Sequence, residues 1–388
     1  MTSWPLKQLS EICEINPRLP RGHAIPDDRI VSFVPMAAVD EIAGAIKRRE
    51  ERRFGDVKKG FTHFQDRDVL FAKITPCMEN GKAALTDGLA SGLGFGSTEF
   101  HVLRAGTTVL PEWLFYFVRQ LSFRVKAKRN FTGTAGQQRV PTTFLSSTLI
   151  PVPPLAEQRR SVDLLMRAES IVRLRREAQQ KAAELVPAIF LEMLGDPATN
   201  PKGWPKVKLG DYLTIESTVK TPDPISDASL PCIGADSIES GTGKLVSWPT
   251  VEQIKPISGK YHFGKNDVLY SKIRPALRKT IVAPESGFCS ADMYPLRPKS
   301  GIATPEFVAS LLLSKAFTEY AIGVSARAQM PKVNRETLFA YEHPMPPISL
   351  QQAFANRMQD VNSIQRQQES ALVKSELVFA SLLGKSFS

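Results

Sequence analysis

The chain has 388 residues, 42% of them hydrophobic, and a mean hydropathy of −0.16, enough for two or three domains with packed cores. No apolar run approaches the ~18 residues a membrane-spanning helix needs, and the first residues lack the charged-then-apolar order of a secretory leader, which points to the cytoplasm. The net charge of +11 is uneven: +6 over residues 1–153 and +3 over 196–345, but +1 each over 154–195 and 346–388. A polyanion would therefore meet the two large segments.

In chain order, the opening Trp4-Pro5-Leu6-Lys7-Gln8-Leu9 leads into tracts 15–30 and 41–60, rich in Pro, Gly, Asp and Lys, which read as surface loops. Arg48-Arg49 and Arg52-Arg53 flank Glu50-Glu51, a pattern that fits a self-paired surface helix as well as a basic patch. Val69-Leu70-Phe71-Ala72 is a short apolar run between polar turns, as a buried strand is. Lys73-Ile74-Thr75-Pro76 then sets a cation at the strand end, a candidate phosphate contact with Lys73, Thr75 and Lys82. Gly92–Ser97 is glycine-rich but has no helix-opening context, so it reads as a turn leading into a strand rather than a phosphate cradle. Phe100–Arg104 alternates as a half-exposed strand does. Pro111-Glu112 opens a helix, with Pro at its first turn and an acid against the N-terminal dipole. Lys126, Lys128 and Arg129 form a basic run beside Arg124 with no acid between them. Thr132-Gly133-Thr134-Ala135-Gly136-Gln137-Gln138-Arg139 is a small-residue loop ending in long hydrogen-bonding side chains. Glutamine suits adenine and arginine suits guanine in the major groove, so Thr134, Gln137, Gln138 and Arg139 are candidate DNA contacts.

The chain then repeats. Trp204-Pro205 returns the opening motif; Asp267–Pro275 returns Asp68–Pro76; Gly287–Ser290 returns Gly94–Ser97; Pro305-Glu306-Phe307 returns Pro111-Glu112-Trp113. The second copy offers Lys272, Arg274, Arg278 and Lys279 at the strand-end turn, and Ser325, Arg327, Gln329 and Lys332 in the polar loop. Tract 218–260 reads as loop and is where the copies differ most. A repeat this long is a duplicated domain, so two similar surfaces related by an approximate two-fold axis are expected, suited to a ligand that also has two halves.

A long helix is predicted after each Pro-Pro, over 154–195 and 346–388. In the first, Leu164, Ile171, Ala178 and Leu185 recur every seven residues, with Leu174 at the complementary spacing. In the second, Phe354, Val361 and Leu382 form one row, and Ile364, Ala371 and Val378 the other. These rows predict a coiled-coil-like antiparallel seam. Gly195-Asp196-Pro197 ends the first helix, and Pro187 is expected to kink it. The fold class expected is α+β: recognition domains over 1–153 and 196–345, alternating with the two helices.

The duplicated Asp-Val-Leu-Phe-Ala-Lys-Ile-Thr-Pro segment (68–76), the polar loop before Val140–Gln158 and the long helix that follows together resemble the specificity subunit of type I restriction-modification systems. Ile150-Pro151-Val152-Pro153-Pro154-Leu155-Ala156-Glu157-Gln158 carries the resemblance most specifically. The second copy departs from it, with Leu350 for Glu157 and Gln352-Ala353 for Arg159-Arg160. The resemblance implies two target-recognition domains, each reading half of a split, asymmetric duplex-DNA site. It implies antiparallel helices that space the readers and dock two methyltransferase subunits, in which S-adenosylmethionine would be the cofactor. It implies motor-nuclease subunits as further partners, and no catalysis or cofactor in this chain.

Two other readings stand beside it: the detached recognition part of another restriction enzyme, and a coiled-coil protein adaptor. His23, His63, His101, His262 and His343 show no metal-ligand spacing. Cys13, Cys77, Cys232 and Cys289 form no CxxC pair and read as thiols of a reducing compartment.

Overall fold

The structure, a computed structural model, describes residues 4–19, 25–134, 136–215, 218–325 and 331–388. The chain forms two compact units: residues 1–176 with 371–388, and residues 177–370. Each unit therefore holds one globular half together with parts of both long helices.

Each globular half is built on a four-stranded antiparallel sheet. In unit 1 its spatial order is Cys13–Ile15, Phe100–Ala105, Val69–Ala72, Ala83–Leu85. In unit 2 the repeat-matched strands take the same order: Leu213–Thr214, Met293–Pro298, Val268–Ser271, Thr280–Val282. The continuous apolar runs are explained by burial on both faces. Val69 and Phe71 face a core that contains Trp113, Leu114 and Phe117, while Leu70 faces a second core with Phe64, Phe100 and Val102. The helices Pro111–Arg119 and Pro305–Leu313 begin at their prolines as predicted and cover the first face in each unit. A second sheet lies beyond the other face, built around Leu93–Gly96 in unit 1 and Gly287–Ser290 in unit 2. Gly94 is obligatory in that strand, because a Cβ there would lie 2.0 Å from the Phe64 ring. The Gly92–Ser97 segment is thus the turn and strand its context suggests. Glu50–Arg53 is an edge strand rather than a helix, with Arg52 paired to Glu50 at 2.7 Å along one face.

One buried ion pair recurs at the same place in both halves. Asp68, 1% exposed, accepts from Arg104 Nε (2.9 Å) and Nη2 (2.7 Å), and from the Gln65 backbone N–H (2.8 Å). Asp267 accepts from Arg297 Nε (2.8 Å) and Nη2 (2.9 Å), and from the Gly264 N–H (2.7 Å). The two-point fork satisfies both carboxylate oxygens, which is the condition for burying a charge.

The long helices run Leu155–Leu194 and Ile348–Ser386, the first passing through the exposed Pro187 and stopping at Gly195, whose φ of +90° suits glycine. A glutamine locks each helix start to its globular half. Gln158 Oε1 accepts from the Leu110 N–H (2.9 Å), and its Nε2 donates to the carbonyls of Thr108 (3.0 Å) and Pro153 (2.8 Å). Gln351 does the same with the Thr304 N–H (3.1 Å) and the Ile302 (3.2 Å) and Pro346 (2.8 Å) carbonyls. The helices pack antiparallel within each unit. In unit 1, Arg176 bonds Glu376, while further along the second helix Phe379 and Phe387 pack on Tyr116 and Trp113. In unit 2, Gln365 Nε2 donates to the Ala182 carbonyl (2.7 Å), and Phe190 meets Phe354 with ring centroids 5.7 Å apart.

The seam differs from the predicted one. Leu164, Ile171, Leu174, Ala178 and Leu185 are exposed; the buried row is Leu165, Val172 and Ala182, with Val162 and Phe190. On the second helix Phe354 and Val361 are buried and Leu382 packs on the unit 1 core, but Ile364 and Val378 are exposed and Ala371 is half-buried; Gln365 and Leu372 take the inner positions. Each helix places a second row one residue from the predicted one, apolar on the first helix and including Gln365 on the second, and heptad spacing alone does not say which row faces the partner helix.

Candidate nucleic-acid interface

Backbone pairing brings together two motifs that lie some sixty residues apart in unit 1. Lys73 leaves the strand Val69–Ala72, with its N–H on the Glu99 carbonyl (2.9 Å) and its carbonyl taking the Val140 N–H (2.9 Å). Thr75 N–H then bonds the Gln138 carbonyl (3.0 Å), and Arg139 bridges to both Ile74 and Thr132. The polar loop is thereby folded into a small hairpin, with Gly133 and Gly136 at φ +108° and +84°. Thr134 and Gln137 are exposed at its tip, and Gln138 is half-buried. The Arg139 guanidinium is committed: Nε and Nη2 donate to Glu99 (2.9 and 2.8 Å), and Nη1 donates to the Gln137 carbonyl (2.7 Å). That fork lowers the Glu99 carboxyl pKa below its ordinary value.

Glu79 gathers another group: Thr75 Oγ1 donates to it at 2.6 Å and Lys128 pairs with it, the Lys128 bond lowering its pKa first and Thr75 second. Lys126 and Arg129 are exposed and without an ion pair among the described residues. Lys82 is turned inward, donating to the Met36 carbonyl at 3.3 Å and 3.6 Å from Glu41.

Unit 2 repeats the weave. Lys272 N–H bonds the Asp292 carbonyl (3.0 Å), Val333 N–H the Lys272 carbonyl (2.8 Å), and Arg274 N–H the Pro331 carbonyl (2.9 Å). The side chains differ. Lys272 is 9% exposed, with its ammonium on the Ala291 carbonyl and 5.0 Å from the Tyr294 ring centroid; burial, then Lys332, lowers its pKa. It holds the turn together and is not placed to reach a phosphate. Ser325 is also buried, donating to the Ile322 carbonyl (3.2 Å), which removes it from the predicted surface because its helix turns it inward. Lys279 donates to the Ala235 carbonyl (2.8 Å). Arg274, Arg278 and Lys332 are exposed. Arg327 and Gln329 lie outside the described residues.

Three structural roles lie outside the predicted set: Glu99 as the partner of Arg139, the two buried glutamines, and the buried His63. The glutamines carried a usable signal, since they are the polar residues that both Pro-Pro motifs retain.

The profile of the family described as the type I restriction modification DNA specificity domain matches residues 1–184 and again 201–374. The EcoAI type I restriction enzyme specificity subunit of Escherichia coli is 39% identical over 160 residues, 41% of this chain and 27% of that protein. The EcoDI specificity subunit of the same organism is 30% identical over 191 residues, 48% of this chain and 42% of that one. These matches span between about a quarter and under half of the relatives' own lengths. A chain from a structural study of assembly and conformational transition in the type I R-M system superposes with a TM-score of 0.62 at 21% identity, covering 100% of this chain and 98% of its own. The S subunit from M. genitalium gives 0.54 at 13% identity, covering 99% and 96%. At these identities the likeness is one of fold.

Proposed function

We propose that this chain, which belongs to the family of type I restriction-modification DNA specificity domains and carries that domain twice, reads a bipartite, asymmetric duplex-DNA site. The observation that carries the reading is the repeated weave. Each unit joins a strand-end turn to a polar loop through the same backbone bonds, yet Lys73, Glu99 and Arg139 in one become Lys272, Asp292 and Lys332 in the other. A common scaffold with different side chains suits two half-sites of different sequence. The excess positive charge in the two globular segments would supply the salt-dependent phosphate attraction.

The chain assembles, in this reading, with two methyltransferase subunits that bind S-adenosylmethionine and methylate adenine, and with motor-nuclease subunits; it holds no cofactor itself. The outward row Leu164, Ile171 and Leu174 of unit 1, each exposed by more than two-fifths, is the apolar helix face we assign to the methyltransferase subunits. The test is to map methylated adenines in cells whose complex carries either this chain or a variant with residues 1–153 exchanged for those of a relative. One half-site should change and the other persist. A change in both, or in neither, defeats the modular reading.

A further inference from the structure

Unit 1 contains an open pocket of about 390 Å³ directly beside the Lys73 turn. Its wall includes Lys73, His63, Arg18, Thr142, Phe61 and Phe95, and no acidic residue among the described ones lines it, although Lys73 is close enough to Glu99 to help lower the pKa of that carboxyl. His63 is 8% exposed, and its ring nitrogens make no hydrogen bond of good geometry; the Pro17 carbonyl raises its pKa a little against the larger lowering by burial. An unsatisfied buried imidazole is costly unless something else completes it. The Lys73 ammonium makes no hydrogen bond or ion pair among the described residues. The other polar groups of the wall are committed: His101 to the Val140 carbonyl (2.7 Å) and Asn16 (3.1 Å), Lys58 to Asp27 (2.7 Å). What remains is a cation, an imidazole, a hydroxyl and an exposed arginine, a donor set for an anion.

The second half arranges the corresponding residues differently. Phe288 stands where Phe95 does, but Lys220 lies over its ring with the ammonium 5.3 Å from the centroid, carried by the strand Val219–Lys220. That strand pairs with Lys260–Tyr261. Lys272 is folded onto Ala291, and His262, the counterpart of His63, is exposed. The two halves thus differ at this place in how their cations and imidazoles are held.

We propose that this pocket is a seat for a DNA backbone phosphate, held by Lys73 and His63, and that the second reader lacks it. The proposal rests on the DNA reading above. It makes the first half the anchoring one, fixed on the backbone at a point beside its base-reading loop, while the second half binds through groups at its surface.

The test uses the full-length chain and a duplex containing its own site, with affinity followed over a range of salt. Lys73→Gln should reduce the log–log salt slope by about 0.9, the release expected for one phosphate. Its affinity deficit should therefore change about 3.5-fold over a fourfold change in salt. Lys272→Gln should leave the slope as it is. Neutral methylphosphonates placed singly along the duplex should reveal one position that weakens the wild type and has no further effect on Lys73→Gln. His63→Asn, checked for an unchanged melting temperature, should weaken binding at that same position. An unchanged slope for Lys73→Gln, or equal losses for the two lysine variants, overturns the seat while leaving DNA recognition intact. A wild-type chain with no salt-dependent duplex binding overturns both. Inorganic phosphate, titrated while His63 and Lys73 resonances are followed, separates the sources: saturable shifts with an unchanged DNA slope would assign the pocket to free phosphate and overturn the DNA form.

Discussion

The two halves share three strands of their outer sheet and disagree about the fourth. Ile30–Val34, Leu93–Gly96 and Thr62–Gln65 match Cys232–Ile233, Gly287–Ser290 and Lys260–Phe263, with the same parallel and antiparallel senses. In the first half the extra strand, Glu50–Arg53, pairs with Ile30–Val34. In the second it is Val219–Lys220, added beyond Lys260–Phe263 at the opposite edge. The inner sheet shows no such freedom, since its four strands keep one order in both. The difference follows from burial. Inner strands are packed on both faces and tied by a buried Asp–Arg fork, whereas an edge strand contributes few packed side chains and tolerates exchange. A duplicated reader can thus diverge at its edges without loss of its core.

If the shared scaffold is what permits divergence, its fixed points should matter equally in both halves. Asp68→Ala removes the carboxylate fork that holds Arg104, and Asp267→Ala the one that holds Arg297. Each substitution should cost about 2–4 kcal/mol in denaturant unfolding of its own unit, below the value for a fully buried pair because both arginines keep part of their side chains in water. A loss in one half and none in the other would break the equivalence. Gln158→Ala and Gln351→Ala come next. Each leaves a buried N–H and two carbonyls without their partner, at about 2–3 kcal/mol, and should loosen the helix start, read as faster amide exchange at Leu110 or Thr304.

Acid should act on both halves, since burial also lowers the pKa values of His63 and His101 in the first, but one site is peculiar to the second. Where the first half buries Ile12 and Ile150, the second buries Tyr212 and His343. Tyr212 lies 2.7 Å from His343 Nε2, and the Pro344 carbonyl 2.9 Å from Nδ1. Burial lowers the His343 pKa from 6.5 to about 4. Below pH 6.5 the unfolded chain gains a proton that the folded chain refuses until about pH 4, so this contribution is complete above 6.5 and is lost as pH falls through that window. Unit 2 should lose about 1–2 kcal/mol by pH 5 from this residue. The paired replacement Tyr212→Phe with His343→Leu, which makes the site resemble its counterpart, should flatten that dependence in thermal melts taken from pH 7 to 4.5. Equal slopes for wild type and double variant would refute the assignment.

The sequence made much of this legible. The duplication, the two long helices and their antiparallel pairing, the proline-led helices and the continuous apolar strands all rest on periodicity and punctuation, which survive without knowledge of neighbours. The weave could be anticipated only in part, because Lys73 and Arg139 are joined through Glu99, a residue that looks ordinary in an alternating strand. Lys272 illustrates the other limit. Its motif matches that of Lys73, but Tyr294 in place of His101 offers it a ring to lie on, and the cation turns inward. On the first helix the seam was misplaced by one residue for a similar reason, since Leu164 and Leu165 are equally apolar and only the partner helix distinguishes them, whereas Phe354 and Val361 on the second were placed correctly.

The smallest expected effect lies at the loop tips, where the halves are supposed to read different bases. Arg139 is clamped by Glu99 in two bonds, while Asp292 and Lys332, their counterparts, form no ion pair with each other. Arg139→Ala should weaken duplex binding about threefold to tenfold and lower the salt slope by about one if the guanidinium meets DNA. The loss has a second possible source, since it also bares Glu99, whose negative charge would repel the backbone. Combining Arg139→Ala with Glu99→Gln separates the two. A direct contact leaves the double variant weak, whereas simple neutralisation restores wild-type affinity. Lys332→Ala, with no clamp to release, should fall nearer threefold, and Arg52→Ala, already paired to Glu50 on an edge strand, should change binding least. A double variant that binds as the wild type does would remove Arg139 from the reading surface and leave the exposed Thr134 and Gln137 as the loop's remaining candidates.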